Sequence, residues 1–126
     1  MALMMGKTVV VTGANSGIGR ETARGLAGMG AHVIMVCRSR DRGEEARTDI
    51  VRSTGNENVE LELADLSALA DTKRAGEALA ARLDRLDVLV NNAGAMHTSR
   101  TTTVNGFETT FHVNHLSYFL FTHTLL

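Results

Sequence analysis

The chain has no proline, a single cysteine, a single tyrosine and only two lysines, and each scarcity excludes something. A lone Cys37 rules out an internal disulfide and suits a reducing, cytoplasmic setting. Thirteen Lys and Arg against fourteen Asp and Glu leave a net charge of −1, so there is no overall field to draw in nucleic acid or an anionic membrane surface. The expected ligand is therefore a small molecule. No apolar run approaches the roughly 18 residues of a membrane span, and the N-terminal MALMM is too short and lacks the basic flank of a signal peptide. At 126 residues the chain is the size of one domain, and no repeat, low-complexity stretch or linker divides it.

What is present is regular. KTVVVT, Lys7 to Thr12, is a β-branched run without alternation, as expected of a strand buried on both faces. Ile18, Thr22, Leu26 and Met29 then recur at helical spacing, with Gly30 as the stop. The unit repeats in kind. AHVIMVC, Ala31 to Cys37, precedes an Arg- and Glu-rich helix over Asp41 to Ser53. VELEL, Val59 to Leu63, precedes a helix through Leu69, Leu79, Leu83 and Leu86, and DVLVN, Asp87 to Asn91, is the fourth strand. Gly94 to Thr103 is the one long irregular candidate. Strands alternating with helices predict an α/β fold, a doubly wound parallel sheet with helices on both faces.

Chemistry enters at TGANSGIG, Thr12 to Gly19. Gly13, Gly17 and Gly19 follow a strand and open a helix, the context in which backbone amides at a helix's positive end approach a pyrophosphate. A tight turn that binds nothing is the competing reading, and the strand, turn and helix falling in order favour a ligand. The glycines are separated by three residues and then one, unlike the one-then-two spacing of the ordinary dinucleotide fingerprint.

That departure resembles the cofactor turn of the short-chain dehydrogenase/reductase family. NNAG, Asn91 to Gly94, ends the fourth strand as in that family, and Asp65-Leu66 ends the third. GFETTFHVNHLSYFLFT, Gly106 to Thr122, is similar to the helix bearing the family's catalytic Asn. VCRSRDRGEEA and the last stretch look most like the retinol-dehydrogenase-like and WW-domain-oxidoreductase-like members. The resemblance covers nearly the whole chain. It implies a Rossmann-type dinucleotide-binding domain over residues 1–126, ending after the fourth strand and its following helix. It also implies cofactor contacts from Gly13, Asn15, Ser16, Gly17, Ile18, Gly19, Asp65, Leu66, Asn92, Ala93, Gly94 and Val113, with Asn114 as the catalytic-set residue.

Cofactor choice is legible after the second strand, where dinucleotide folds place an acidic residue for the ribose of NAD or an Arg for the 2′-phosphate of NADP. Arg38 stands there, nineteen positions after Gly19, with Arg40 and Arg42 close by. Charge balance with Asp41, Glu44 and Glu45 is the competing reading, but a planar guanidinium fork suits phosphate, and NADP is expected over NAD.

The resembled family transfers hydride with a Tyr, a Lys four residues later and a Ser, all downstream of the Asn-bearing helix. The only tyrosine here is Tyr118, and Thr122 stands four residues on. A phenol with no nearby cation is a poor base at neutral pH, so Tyr118 is expected to pack rather than react. Lys7 and Lys73 lie in the wrong context to serve. Ser117 and Tyr118 depart from the Gly and His usual in relatives, and the first adds a side chain at a tight contact. His112, His115 and His123 share helical spacing but no carboxylate or cysteine joins them, so no metal site is expected.

Leu116, Phe119, Leu120, Phe121 and Leu125 make the last helix apolar on two sides, which the resemblance explains by one side on the sheet and the other on a second copy. The expected function is thus an NADP(H)-dependent oxidoreductase acting on an alcohol/carbonyl pair, present as its cofactor-binding half. A non-catalytic NADP-binding module and an interaction fragment are the alternatives.

Overall fold

A computed structural model describes residues 3–126, so Met1 and Ala2 of MALMM lie outside it. The described residues form two compact units, one running to Leu63 and taking in Arg85–Asn92, the other made of Ala64–Asp84 and Ala93–Leu126.

The first unit holds the sheet: β1 (Thr8–Thr12), β2 (His32–Cys37), β3 (Val59–Leu63) and β4 (Val88–Val90), with α1 (Gly17–Gly28) between β1 and β2 and α2 (Arg40–Thr54) between β2 and β3. All pairings are parallel and the spatial order is β3-β2-β1-β4. This is a Rossmann-type sheet. Every residue of β1 is buried, which is why TVVVT carries no polar alternation. Val9, Val11, Val33 and Met35 pack with Ile50 and with Ala23, Ala27 and Ala46, small helix residues that let α1 and α2 lie close. The strand order reverses at β1, where the chain returns from β3 to add β4 on the other flank. In open parallel sheets the crevice at the carboxyl ends of the strands beside such a reversal is where ligands bind.

Charge ties the two helices. Arg20 reaches Glu45 at 3.2 Å and Asp49 at 2.8 Å, and Arg24 reaches Asp49 at 2.6 Å and Glu21 at 3.0 Å. First Arg24 and then Arg20 hold the Asp49 carboxyl down at about 2.

The second unit contains α3 (Leu69–Arg82), α4 (Thr109–Phe111), a π-helical turn over His112–Leu116 and α5 (Ser117–Leu125). Gly76 lets α3 and α5 approach, since a Cβ there would lie 2.8 Å from Thr124 Cγ2, and Phe121 is buried beside it. Glu108 caps α4 by accepting from the Thr110 and Phe111 amides at 3.0 and 2.9 Å. Residues 94–101 carry no helix or strand, as expected, and the chain regains order at the Thr102–Glu108 bridge.

Three boundaries differ from the sequence expectation. Helix α3 stops at Arg82, so Leu83 and Leu86 lie beyond it, because Leu83 is already extended (φ −90°, ψ 130°). Strand β4 is three residues rather than five. Asp87 takes part in pairing from outside it, its carboxylate accepting the Thr8 amide at 2.8 Å. The expected single α-helix at the end of the chain is interrupted by the π-turn. Among the described residues no helix is long and apolar enough to cross a membrane.

Candidate cofactor-binding site

The glycine turn is built in the first unit from strand geometry. Gly13 leaves β1 at φ +64°, its amide donating to the Val36 carbonyl at 2.8 Å, and Gly17 enters α1 at φ +56°. Both are left-handed conformations that a Cβ disfavours. Gly19 is needed for a different reason. A Cβ on it would lie 2.2 Å from Gly13 O and 2.3 Å from Asn92 Nδ2.

Asn92 locks this packing from the end of β4. Its backbone amide donates to Thr12 Oγ1 at 2.9 Å and its side chain to Gly13 O at 3.3 Å. Asn15 is half-buried while Ser16, Gly17 and Ile18 are exposed, Ile18 by 79%. Ser16 is the N-cap residue of α1, yet its side chain accepts no capping bond, and the first turn holds no acidic residue. Among the described residues no side chain caps the leading amides of this twelve-residue helix, which suits an anion.

The register Thr12↔Val36 sets the end of β2 beside this turn, and Arg38 follows that strand. Arg38 is exposed and makes no ion pair among the described residues. Two of the three acidic residues near these arginines are engaged elsewhere, Glu45 by Arg20 at 3.2 Å and Glu44 by Arg47 at 4.0 Å. Cys37 is buried beside Gly43, and burial foremost, then the Glu44 charge, pushes its thiol pKa up. It behaves as a small hydrophobe.

The remaining candidates belong to the second unit. Asp65 spends one carboxylate oxygen on its own turn, accepting from the Ser67 amide at 3.0 Å and hydroxyl at 2.6 Å. The amide of Asp65 donates to Asp71 at 2.6 Å, and that bond, after the larger effect of Arg74, keeps the Asp71 carboxyl below the usual range. The Leu66 carbonyl accepts the Ser117 hydroxyl, and the Ala93 carbonyl accepts the Tyr118 phenol. Gly94 is exposed, and Val113 is half-buried within the π-turn.

Asn114 lies in the middle of that π-turn. Its amide pairs with one residue in both senses, accepting from Ala95 N and donating to Ala95 O, each at 2.8 Å. π-bulges recur at functional sites because the extra residue re-aims a side chain. Here it aims the Asn114 amide at the loop after NNAG.

Tyr118 is committed to a carbonyl and its pKa is raised by burial, so it is no base. The histidines are engaged separately. His112 is fully buried, bonded through Nδ1 to the Thr103 hydroxyl at 2.8 Å, and burial keeps its pKa low against a smaller opposing pull from Asp65. His115 stacks on Phe111 and His123 on Phe119. Sequence reasoning missed Thr12, Ser117 and Tyr118 as anchors of the loops. The signal for the last two was their departure from the resembled pattern.

Comparison with known proteins sets this geometry in context. A family model described as short chain dehydrogenase matches residues 7–126. Human retinol dehydrogenase 13 is 43% identical over 125 residues, covering 99% of this chain and 38% of the relative. Bovine retinol dehydrogenase 12 is 46% identical over 123 residues, covering 98% of this chain and 39% of the relative. The chain thus spans about two fifths of the length of these curated relatives. Among solved structures, an uncharacterised Mycobacterium paratuberculosis protein superposes with TM-score 0.81 at 42% identity, covering 96% of this chain and 42% of the other. A Shigella flexneri short chain dehydrogenase complexed with NADP superposes with TM-score 0.81 at 26% identity, covering 99% and 54%.

Proposed function

The chain belongs to the short-chain dehydrogenase family and is related to the retinol dehydrogenases, and from that premise we propose that it is the cofactor-binding half of an NADP(H)-dependent oxidoreductase acting on an alcohol/carbonyl pair. The observation that carries this reading is the pairing of β1 with β2. It sets a helix N-terminus with no side-chain cap beside an arginine that has no ionic partner among the described residues, two positive features at adjacent strand ends. In this reading residues 1–126 form one dinucleotide-binding domain.

Gly13, Asn15, Ser16, Gly17, Ile18 and Gly19 would surround the pyrophosphate, the backbone amides of the turn donating to its oxygens. Arg38 would take the 2′-phosphate with a planar fork. Asp65, Leu66, Asn92, Ala93, Gly94 and Val113 would line the rest of the cofactor, and Asn114 would hold the loop after Gly94 in place for the catalytic set. When bound, the nicotinamide ring supplies or accepts the hydride. The NADP and NADPH complexes of a Shigella flexneri and an Escherichia coli short chain dehydrogenase support the choice of cofactor.

Tyr118, with its phenol given to Ala93 and Thr122 four residues on, does not act as the acid or base. The 126 residues alone accordingly bind cofactor without transferring hydride. That same phenol favours a second reading, a non-catalytic NADP-binding module. The single buried cysteine fits a cytoplasmic setting. A second copy would cover the exposed apolar side of α5, where Phe119 is 68% and Leu126 97% exposed.

The test is a titration of NADPH and NADH, repeated with Arg38→Asp. Loss of a charge-assisted partner should weaken NADPH by about 10- to 150-fold, from about 1.5–3 kcal/mol. Equal affinities for the two nucleotides in the parent, or unchanged NADPH binding in the variant, would overturn the assignment.

A further inference from the structure

One buried polar atom of the second unit is left over by the cofactor reading. His112 is fully buried at the start of the π-turn, and its Nε2 has no hydrogen-bond partner among the described residues. Its Nδ1 is bonded to the Thr103 hydroxyl at 2.8 Å, and the Phe107 ring stands nearly perpendicular to it at 5.9 Å. All three residues belong to the second unit.

Buried polar atoms are nearly always paired, so the orphan nitrogen has to be explained. The two protonation states of the ring ask different things of this site. A neutral imidazole carries one proton; placed on Nδ1, it is donated to Thr103 Oγ1 and leaves only a lone pair on Nε2. An imidazolium must donate from both nitrogens, and Nε2 then has nothing to donate to. The charged groups nearby do not supply the missing acceptor. Asp65, two residues after β3, faces the ring without bonding it, its carboxylate accepting from Ser67 at 3.0 and 2.6 Å, and its pull is weaker than the effect of burial. The Glu108 carboxylate is turned to the Thr110 and Phe111 amides, and His115 is exposed and stacked on Phe111. From the hairpin come only Thr103 and Phe107, neither of them charged.

We propose that His112 is an acid-sensitive latch: neutral, it ties the hairpin of residues 101–109 to the π-turn, and on protonation it leaves the interior and releases the turn that presents Asn114. Both sides of the latch are visible. Thr103 belongs to a hairpin closed by the Thr102–Glu108 bridge and by its own amide on Phe107 O at 2.8 Å. On the other side, His112 leads into the π-turn in whose middle Asn114 grips both backbone groups of Ala95, each at 2.8 Å. The latch stands apart from the NADP reading and holds within the second unit alone. Its sign follows from linkage. Burial keeps the pKa of the folded ring below its ordinary 6.5, so opening takes up a proton and grows easier as pH falls below that value, levelling off only at the lower folded value.

Amide hydrogen exchange of the 126-residue chain, followed by NMR from about pH 7.5 to about pH 4.5, tests this. Protection of the Ala95, Thr103 and His112 amides should fall by up to about 10-fold for each pH unit below 6.5, the slope of one proton, while the amides of β1 keep theirs. His112→Asn retains an amide nitrogen to donate to Thr103 and cannot titrate, so protection of the same amides should then stay flat. Three results overturn the latch. Flat protection in the parent means that the ring either charges in place or never charges. Equal loss at β1 means that acid unfolds the whole chain rather than this segment. The same loss in His112→Asn assigns the effect to other groups. The first two are read from the parent chain, so they decide the matter even if the variant does not fold.

Discussion

Gly19→Ala isolates the packing on which the glycine turn depends. The added Cβ would lie 2.2 Å from Gly13 O, 2.3 Å from Asn92 Nδ2 and 2.9 Å from Gly13 C. Non-bonded carbon contacts settle near about 3.5 Å, so something must move by about 1 Å. Asn92 can swing away only by giving up its 3.3 Å bond to Gly13 O. Gly13 itself is pinned by its 2.8 Å amide bond to Val36 O and its φ of +64°. Overpacking costs about 1–3 kcal/mol and the lost bond about 0.5–1.5 kcal/mol, together about 1.5–4.5 kcal/mol. The helix-propensity gain of replacing Gly is at most about 1 kcal/mol, so the loss wins. Gly25 supplies the control on the same helix, since a Cβ there meets nothing within 4 Å. Gly25→Ala should raise the urea midpoint slightly, whereas Gly19→Ala should lower it at unchanged slope and weaken NADPH by at least about 10-fold. If the two alanine variants are equally stable, or if Gly19→Ala binds NADPH like the parent, the packing argument is wrong.

Two further outcomes are expected. Asp49 is held at about 2 by Arg24 and then Arg20, so its contribution is complete above its unfolded value of 3.8 and lost as pH falls through about 2. Asp49→Asn should therefore be less stable than the parent near neutrality, with the two melting curves converging toward pH of about 2 and the gap narrowing in salt. Phe119→Asp puts a charge on the exposed apolar side of α5 and should shift the mass measured by light scattering toward the monomer across a concentration series; a parent that is already monomeric at the highest concentration would remove the proposed second copy.

The parts of the fold that were legible in the sequence are those whose cause is local. TVVVT reads as a buried strand because β-branched residues favour extended backbone and nothing polar interrupts them. Gly13 and Gly17 announce left-handed turns because only Gly adopts them at no cost. Arg38 reads as the first residue after the second strand because that place is fixed by counting from Gly19, and it follows β2 directly. The end of α3 was not legible. Leu83 and Leu86 continue the helical spacing that Leu79 ends, but hydrophobic spacing cannot say where the chain must turn extended to enter β4.

The π-turn failed to show for a deeper reason, and the same reason hid the hydroxyls that hold the loops at Leu66 and Ala93. A seven-residue stretch from His112 to Tyr118 has helical composition whether or not it contains one extra residue per turn. Within the π form the Asn114 amide meets both backbone groups of Ala95, a partner nineteen residues away in sequence. Ser117 reaches Leu66 across fifty-one positions and Tyr118 reaches Ala93 across twenty-five. Side-chain bonds to a distant backbone leave no period and no composition to read. A departure from the family pattern is the only trace they make, and at Ser117 that departure need not loosen the tight contact it enters. The added hydroxyl finds a carbonyl there, so the side chain is accommodated by bonding rather than by space, and Ser117→Gly, although it restores the residue usual in relatives, would leave the Leu66 carbonyl without its buried donor.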